Sequence, residues 1–330
     1  MKGIVVGLIV FAFVVGGWAG GRTVIDQAGR TVVVPEHPER VASAFGVATA
    51  YLYALGAGDR VVGARYLGVP ESPLARGVLA RLDPGWEAKV FPGDVTAETL
   101  VALRADLVVG GTRHGKLADL LSDVGIPTVI YAAETFAGVR EATQLTGEVL
   151  GREETSRRLV AFFDEVVAGA GQGGPTDALP RVLFVGTEPL RVAAVGMYQT
   201  QLLALAGGQP AAGDLAGAAW QNVSAEQILL WNPDVIVIAS YGGVTPATFL
   251  DDPVFAALAA VRAGRVHKMP QLLFAWDNPI PESALGIVWL AELLHPGTRS
   301  SSLAEVATRF YREFYGVELT EGELAAIIGP

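Results

Sequence analysis

A stretch of 19 residues recurs in related form in this chain. Val95 to Arg113 aligns without a gap on Val223 to Tyr241, an offset of 128 residues. Val, Ala, Glu, Asp and Val coincide at matching places, and most other pairs are conservative. Each copy has the same local grammar: an N-cap residue (Thr96 or Ser224), a short helical pattern, an Asp, then a run suited to a buried strand. Ser224 with Gln227 has the spacing of a capping box. A duplicated α/β lobe is the economical explanation. Two such lobes leave a cleft between them, a common place for a ligand.

Short apolar runs bounded by turn residues recur around the repeat, at Arg60–Gly63, Asp106–Val109, Pro127–Ile130, Val182–Val185, Asp234–Ile238 and Arg265–Lys268. They read as buried parallel strands. Helical patterns alternate with them, at Ala48–Leu55, Ala97–Leu103 and Lys116–Val124, which is the order of βαβ units. The rhythm breaks once. Val139–Leu150 and Arg152–Ala168 read as helix with no strand between, and Glu153/Arg157 and Glu154/Arg158 have the i,i+4 spacing of surface ion pairs. A glycine-rich run from Gly169 to Pro175 ends the helix, and Pro180 precedes the next strand.

The predicted fold class is therefore α/β: two Rossmann-like lobes with mainly parallel sheets, joined by one long interdomain α-helix, with a ligand cleft between the lobes. The expected division is a signal peptide over 1–19, a first lobe over 20–150, the linking helix and its glycine-rich turn over 151–179, and a second lobe over 180–330.

Met1-Lys2 precede an apolar run from Ile4 to Val15, and Gly17-Trp18-Ala19 has a small-x-small pattern. These are the parts of an export signal cut after Ala19. The apolar run is shorter than the roughly 20 residues that span a bilayer. Cysteine is absent, which excludes a lipobox, disulfides, thiolate metal sites and thiol nucleophiles. A net charge of -10, from 24 basic and 34 acidic residues, argues against a nucleic-acid partner. His37, His114, His267 and His295 form no i,i+4 pair, so neither a metal site nor a cofactor is expected. No G-x-S-x-G elbow occurs. No catalytic residue is assigned, and an exported hydrolase stands as the disfavoured alternative.

The segment Gly110 to Leu117 nearly spells a Walker A loop, but Leu117 replaces the hydroxyl that would hold Mg²⁺. It still brings Arg113, His114 and Lys116 to a helix N-terminus, where an anion is favoured; an ordinary solvated basic loop is the other reading. Gly169, Gly171 and Gly174 match G-x-G-x-x-G, yet they follow a helix and not a strand, so they read as a linker. Tyr66, Tyr198, Tyr241, Trp276 and Asp277 fall at carboxyl ends of strands or in adjoining loops, where α/β lobes bind ligands, with Phe91 and Trp220 added on the same reasoning. Lobe core is the alternative for any one of these aromatics. Trp86, Trp231 and Trp289 read as structural.

The chain resembles the class III, helix-linked periplasmic substrate-binding proteins of ABC importers. Thr23 to Pro35, with Pro38 to Val41, looks like the family's first hairpin and the lead-in to its first strand. Thr96-Ala-Glu98 and Ser224-Ala-Glu226 are similar to its paired docking segments. Trp276 to Gly286 with Trp289 to Pro296 looks like its late cleft loop and helix, and Phe314 to Thr320 resembles its C-terminal ending. The resemblance implies a monomeric periplasmic binding protein that is no enzyme. It implies capture of a ferric siderophore or similar metal chelate, with cobalamin, haem or molybdate/tungstate as alternatives. The partner implied is a membrane permease with its cytoplasmic ATPase. Glu98 and Glu226 would dock on permease arginines, although carboxylates also favour helix N-termini for their own sake. The lobes are expected to close only slightly on binding.

Overall fold

The computed structural model describes residues 21–66, 72–170 and 179–328. The expected export signal, and the glycine-rich run expected from Gly169 to Pro175 beyond its first two residues, lie outside the described residues. The chain opens with an antiparallel hairpin, β1 (Gly21–Ile25) and β2 (Thr31–Pro35). Its turn is held by the buried Asp26 carboxylate, which accepts from the amides of Ala28 and Arg30, from the Arg30 guanidinium and from the amide of Ile130. One carboxylate thereby ties the hairpin to the first sheet.

That sheet is built from β3 (Val41–Ser43), β4 (Val61–Ala64), β5 (Leu107–Gly111) and β6 (Thr128–Tyr131), in the order β4-β3-β5-β6 and parallel throughout. Around it run α1 (Gly46–Ala54), α2 (Pro73–Leu82), α3 (Trp86–Lys89), α4 (Ala97–Ala102) and α5 (Gly115–Asp123). After β6 come α6 (Phe136–Leu150) and α7 (Glu153–Ala170). The second sheet contains β7 (Arg181–Val185), β8 (Arg191–Ala193), β9 (Gln209–Pro210), β10 (Trp220–Asn222), β11 (Val235–Ile238) and β12 (Val266–Lys268). Strands β9, β7, β11 and β12 are parallel neighbours in that order, whereas β8 and β10 are antiparallel additions. Its helices are α8 (Tyr198–Leu205), α9 (Ala225–Trp231), α10 (Ala247–Leu250) and α11 (Ala259–Arg262), followed by α12 (Ser283–Leu294), α13 (Leu303–Phe310) and α14 (Glu321–Ile328).

The four parallel strands of each lobe follow one topology: the first strand is central, the second lies to one side, and the third and fourth lie to the other. The duplication extends to the backbone. Arg104 (φ 50°) and Asn232 (φ 42°) are the only non-glycine residues with positive φ among the described residues, and they occupy equivalent repeat positions. Two residues on, Asp106 accepts from the amides of Glu39 and Arg40, and Asp234 accepts from the amide of Arg181. Each Asp thus anchors the start of its lobe's first strand. Thr96 and Ser224 cap α4 and α9 by accepting from the amides of Thr99 and Gln227. The reciprocal half of the expected capping box, from the Gln227 side chain, is not formed; a complete box occurs at Ser302 and Glu305.

The link is an antiparallel helical hairpin ending in the long helix. Gly151 closes α6 in the left-handed region (φ +66°), and α7 returns along it with Phe163 beside Phe136 and Asp164 paired to Arg140. At 18 residues, α7 is about 27 Å long. The two expected i,i+4 pairs are replaced: Glu153 pairs with Arg22, Arg158 with Glu313 at 3.7 Å, and Arg157 with Glu154 at i,i+3. Tertiary partners compete successfully for these charges, because an exposed helical pair is worth only a few tenths of a kcal/mol. One apolar core runs through both lobes, from Val41 and Leu107 by way of Tyr51, Val139 and Phe163 to Val182, Ile287 and Phe310.

Candidate functional site

In both sheets the first strand has neighbours on either side that continue in opposite directions, which makes a topological switch point. Ligands of open α/β sheets bind outside the carboxyl ends of strands at such points. Here the carboxyl-end loops of the two lobes meet. Tyr51, in the helix that follows β3, donates to the carbonyl of Pro279 at 2.9 Å. The amide of Phe136 donates to Gln201 Oε1, Gln199 Nε2 donates to the carbonyl of Asp277, and the Tyr198 hydroxyl lies 2.6 Å from Ser283 Oγ. Tyr131 stacks on Tyr51 with centroids 5.6 Å apart. Two polar contacts, Tyr51 to Pro279 and Phe136 to Gln201, therefore join the lobes, while the Gln199, Tyr198 and Tyr131 contacts brace each lobe's own side of the seam.

On the first lobe, the loop after β5 presents an exposed Arg113 and a half-buried His114, with Phe45 between strand and ring: Arg113 Cζ lies 5.2 Å from the Phe45 centroid. Gly111 allows this approach, since a Cβ there would lie 2.8 Å from the Phe45 ring. Arg65, at the end of β4, is near enough for its charge to act on His114. An exposed Asp94 lies 3.9 Å from Arg65. Burial first, then the charges of Arg113 and Arg65, lowers the pKa of His114. Lys116 is exposed on the first turn of α5.

On the second lobe, Ser240 donates to Asp277 Oδ1 at 2.6 Å at the end of β11. Asp277 is fully buried, its other oxygen has no hydrogen-bond partner, and burial raises its pKa. The half-buried phenol of Tyr241 faces it, with its pKa raised by burial and by the Asp277 charge. Arg191 adds a cation beside Tyr241, and Lys268 Nζ donates to the carbonyl of Gly242 at 2.9 Å. Trp220 lies over Gly186, where a Cβ would meet the indole at 2.9 Å.

The residues singled out by sequence divide accordingly. Arg113, His114, Trp220 and Tyr241 are accessible at strand ends. Tyr66 is half-buried at the end of β4, in a network with Tyr53, Asp83 and Lys89 and with its ring edge-on to Trp86. Phe91 and Tyr198 are buried. Trp276 is fully buried, with its indole N–H 3.4 Å from the Tyr311 hydroxyl, so it belongs to the interlobe core and not to an open wall. Glu98 and Glu226 are exposed in the first turns of α4 and α9, and hydrogen bonds from their own amides and from Thr96 and Ser224 lower their pKa values. Sequence reasoning passed over Phe45, Arg65, Arg191 and Lys268. Phe45 and Arg65 follow strands directly and carried that signal; Arg191 needed the antiparallel β8, which is too short to read. Among the described residues no cluster of three metal-ligating side chains occurs, and no helix is long and apolar enough to cross a membrane.

A family model described as "Periplasmic binding protein" matches residues 41–272. The molybdate-binding protein MolA of Haemophilus influenzae is 29% identical over 89% of this chain and 91% of its own length. Its solved structure with molybdate bound superposes with a TM-score of 0.75 at 26% identity, covering 91% of this chain and 99% of that one. A periplasmic solute binding protein from Veillonella parvula superposes with a TM-score of 0.81 at 25% identity, covering 93% and 96% of the two chains. A vitamin B12-binding protein of Pectobacterium carotovorum is 24% identical over 61% of this chain and 71% of its own. On these matches, with the duplicated lobes and the linking helix, this chain belongs to the periplasmic binding protein family, as a helix-linked substrate-binding component of an ABC transporter.

Proposed function

We propose that the cargo of this binding protein is an anion, a molybdate-type oxyanion ahead of the ferric siderophore that the sequence suggested, held where the strand ends of the two lobes face each other. The observation that carries this reading is the cationic rim: Arg65 and Arg113 on one lobe, with the His114 imidazole beside them, and Arg191 and Lys268 on the other. Arginine in a partly desolvated site suits oxyanions, because its planar fork makes charge-assisted hydrogen bonds. MolA, similar over nearly the whole chain, supports the oxyanion. A corrinoid would call for broad aromatic walls and few charges, whereas Phe91, Tyr198 and Trp276 are buried.

In the same reading Glu98 and Glu226 dock on basic residues of the permease, one from each lobe, and the first nineteen residues direct export. The test is retention on desalting. Purified protein incubated separately with molybdate, tungstate, a ferric siderophore, haem or cyanocobalamin should keep an anion and gain melting temperature by mass action, roughly 2.7 kcal/mol of stability at a hundredfold excess over Kd. Retention of cyanocobalamin alone would contradict the anionic cargo while leaving the transport role intact.

A further inference from the structure

Arg113 and His114 stand side by side after β5, and their hydrogen-bonding roles conflict unless a third group joins them. The amide of Gly111 donates to His114 Nδ1 at 3.0 Å, so Nδ1 is the accepting nitrogen. A neutral imidazole carries one proton, which this contact leaves on Nε2. Arg113 Nε, which can only donate, lies 3.4 Å from that same Nε2. Two N–H groups therefore converge with no acceptor between them. Their positions are not loose: the Phe45 ring flanks both, with the imidazole centroid 6.1 Å and Arg113 Cζ 5.2 Å from its centre. The lowered pKa of His114 is consistent with a neutral ring at neutral pH.

We propose that His114 is the specificity-determining residue of this cleft: its Nε2–H and the neighbouring Arg113 Nε–H form a two-donor site that takes a fully deprotonated anionic oxygen and disfavours neutral cargo. The inference rests on the anionic-cargo reading above and adds the residue that enforces it. His114 supplies direction and not charge, since its ring is neutral; Arg113 and Arg65 supply the charge. The oxygen belongs either to a free oxyanion or to a charged metal chelate, and the two sources are separable by titration.

Calorimetric titrations of the full chain with sodium molybdate, ferric citrate and cyanocobalamin, on wild type, His114→Asn and His114→Gln, test this. Asparagine keeps an acceptor near Nδ1 and withdraws the outer donor; glutamine keeps a donor near Nε2. The expected result is binding of molybdate or ferric citrate to wild type, weakened about tenfold or more in His114→Asn and less in His114→Gln. Wild-type affinity in His114→Asn overturns the role of His114 and leaves the anionic cargo standing. Binding of cyanocobalamin alone, or of none of the three, overturns the anionic reading and this inference with it. Should both variants lose binding equally, the long-range ¹H–¹⁵N spectrum of wild type decides. A protonated Nε2 whose resonance moves on adding the bound anion supports the proposal, and a protonated Nδ1 or an unmoved Nε2 overturns it.

Discussion

Glu282 is fully buried beside the interlobe loop, and neither of its carboxyl oxygens has a hydrogen-bond partner. Burial pushes its pKa from 4.5 up to about 8, against the opposing pull of the Tyr315 phenol. Between those two values the folded chain keeps a proton that the unfolded chain releases, so stability falls as pH rises through this window. Replacing Glu282 by Gln removes the dependence. The variant is expected to melt with wild type near pH 5 and to be the more stable protein near pH 9, by on the order of a few kcal/mol. Scanning calorimetry at the two pH values checks this, and a difference that does not change with pH would contradict it. Nothing local in the sequence betrays such a carboxyl: it sits among loop residues, and the phenols on which its charge acts, Tyr51, Tyr311 and Tyr315, are far away in the chain. The choice between wall and core for Trp276 was hidden in the same way, since its partner Tyr311 is 35 residues on.

At the scale of elements, the repeat makes paired predictions. Asp106 accepts two amides and Asp234 one, each at the start of its lobe's first strand. Asp106→Ala and Asp234→Ala should each cost roughly 0.5–1.5 kcal/mol in denaturant unfolding, because the amides exchange a charged acceptor for water. Unchanged stability in both would remove the anchoring role. Glu98 and Glu226 stand on the caps of α4 and α9, exposed and with lowered pKa values, so both stay ionised at neutral pH. If they dock on the permease, the double variant Glu98→Gln, Glu226→Gln binds cargo as wild type does and loses stimulation of the transporter ATPase in reconstituted vesicles. Full stimulation would sink the docking reading. These elements were legible because the repeat, the caps and the apolar runs are local signals. The short strands β8, β9 and β10 were not, because strands of two or three residues are specified by their neighbours.

Across the whole molecule, the apolar core is continuous from the first lobe to the second through α1, α6, α7 and α12. A wide hinge motion would have to open that core, and burial at about 25 cal/mol per Å² makes that costly. Cargo binding is therefore expected to change the small-angle scattering profile little while raising the melting temperature; a clear drop in radius of gyration would contradict a shared core. The two-lobe plan and the long link were readable from the repeat and from the strand–helix rhythm. Which strand-end residues stay open was not, because exposure depends on how the lobes meet: Arg113 and Tyr241 remain accessible while Tyr198 and Asp277 are covered. A cavity of about 400 Å³ at the far end of α1, lined by Gly56, Arg152, Arg158 and Glu313, is the rival location for a ligand.

The most direct test of an anionic cargo between the lobes is a crystal of the protein with molybdate, measured at the molybdenum absorption edge. An anionic cargo predicts one anomalous peak at the strand ends, within hydrogen-bonding reach of Arg113 and His114. A peak in the cavity beside Arg152 and Arg158, or no peak in crystals soaked to saturation, would contradict it.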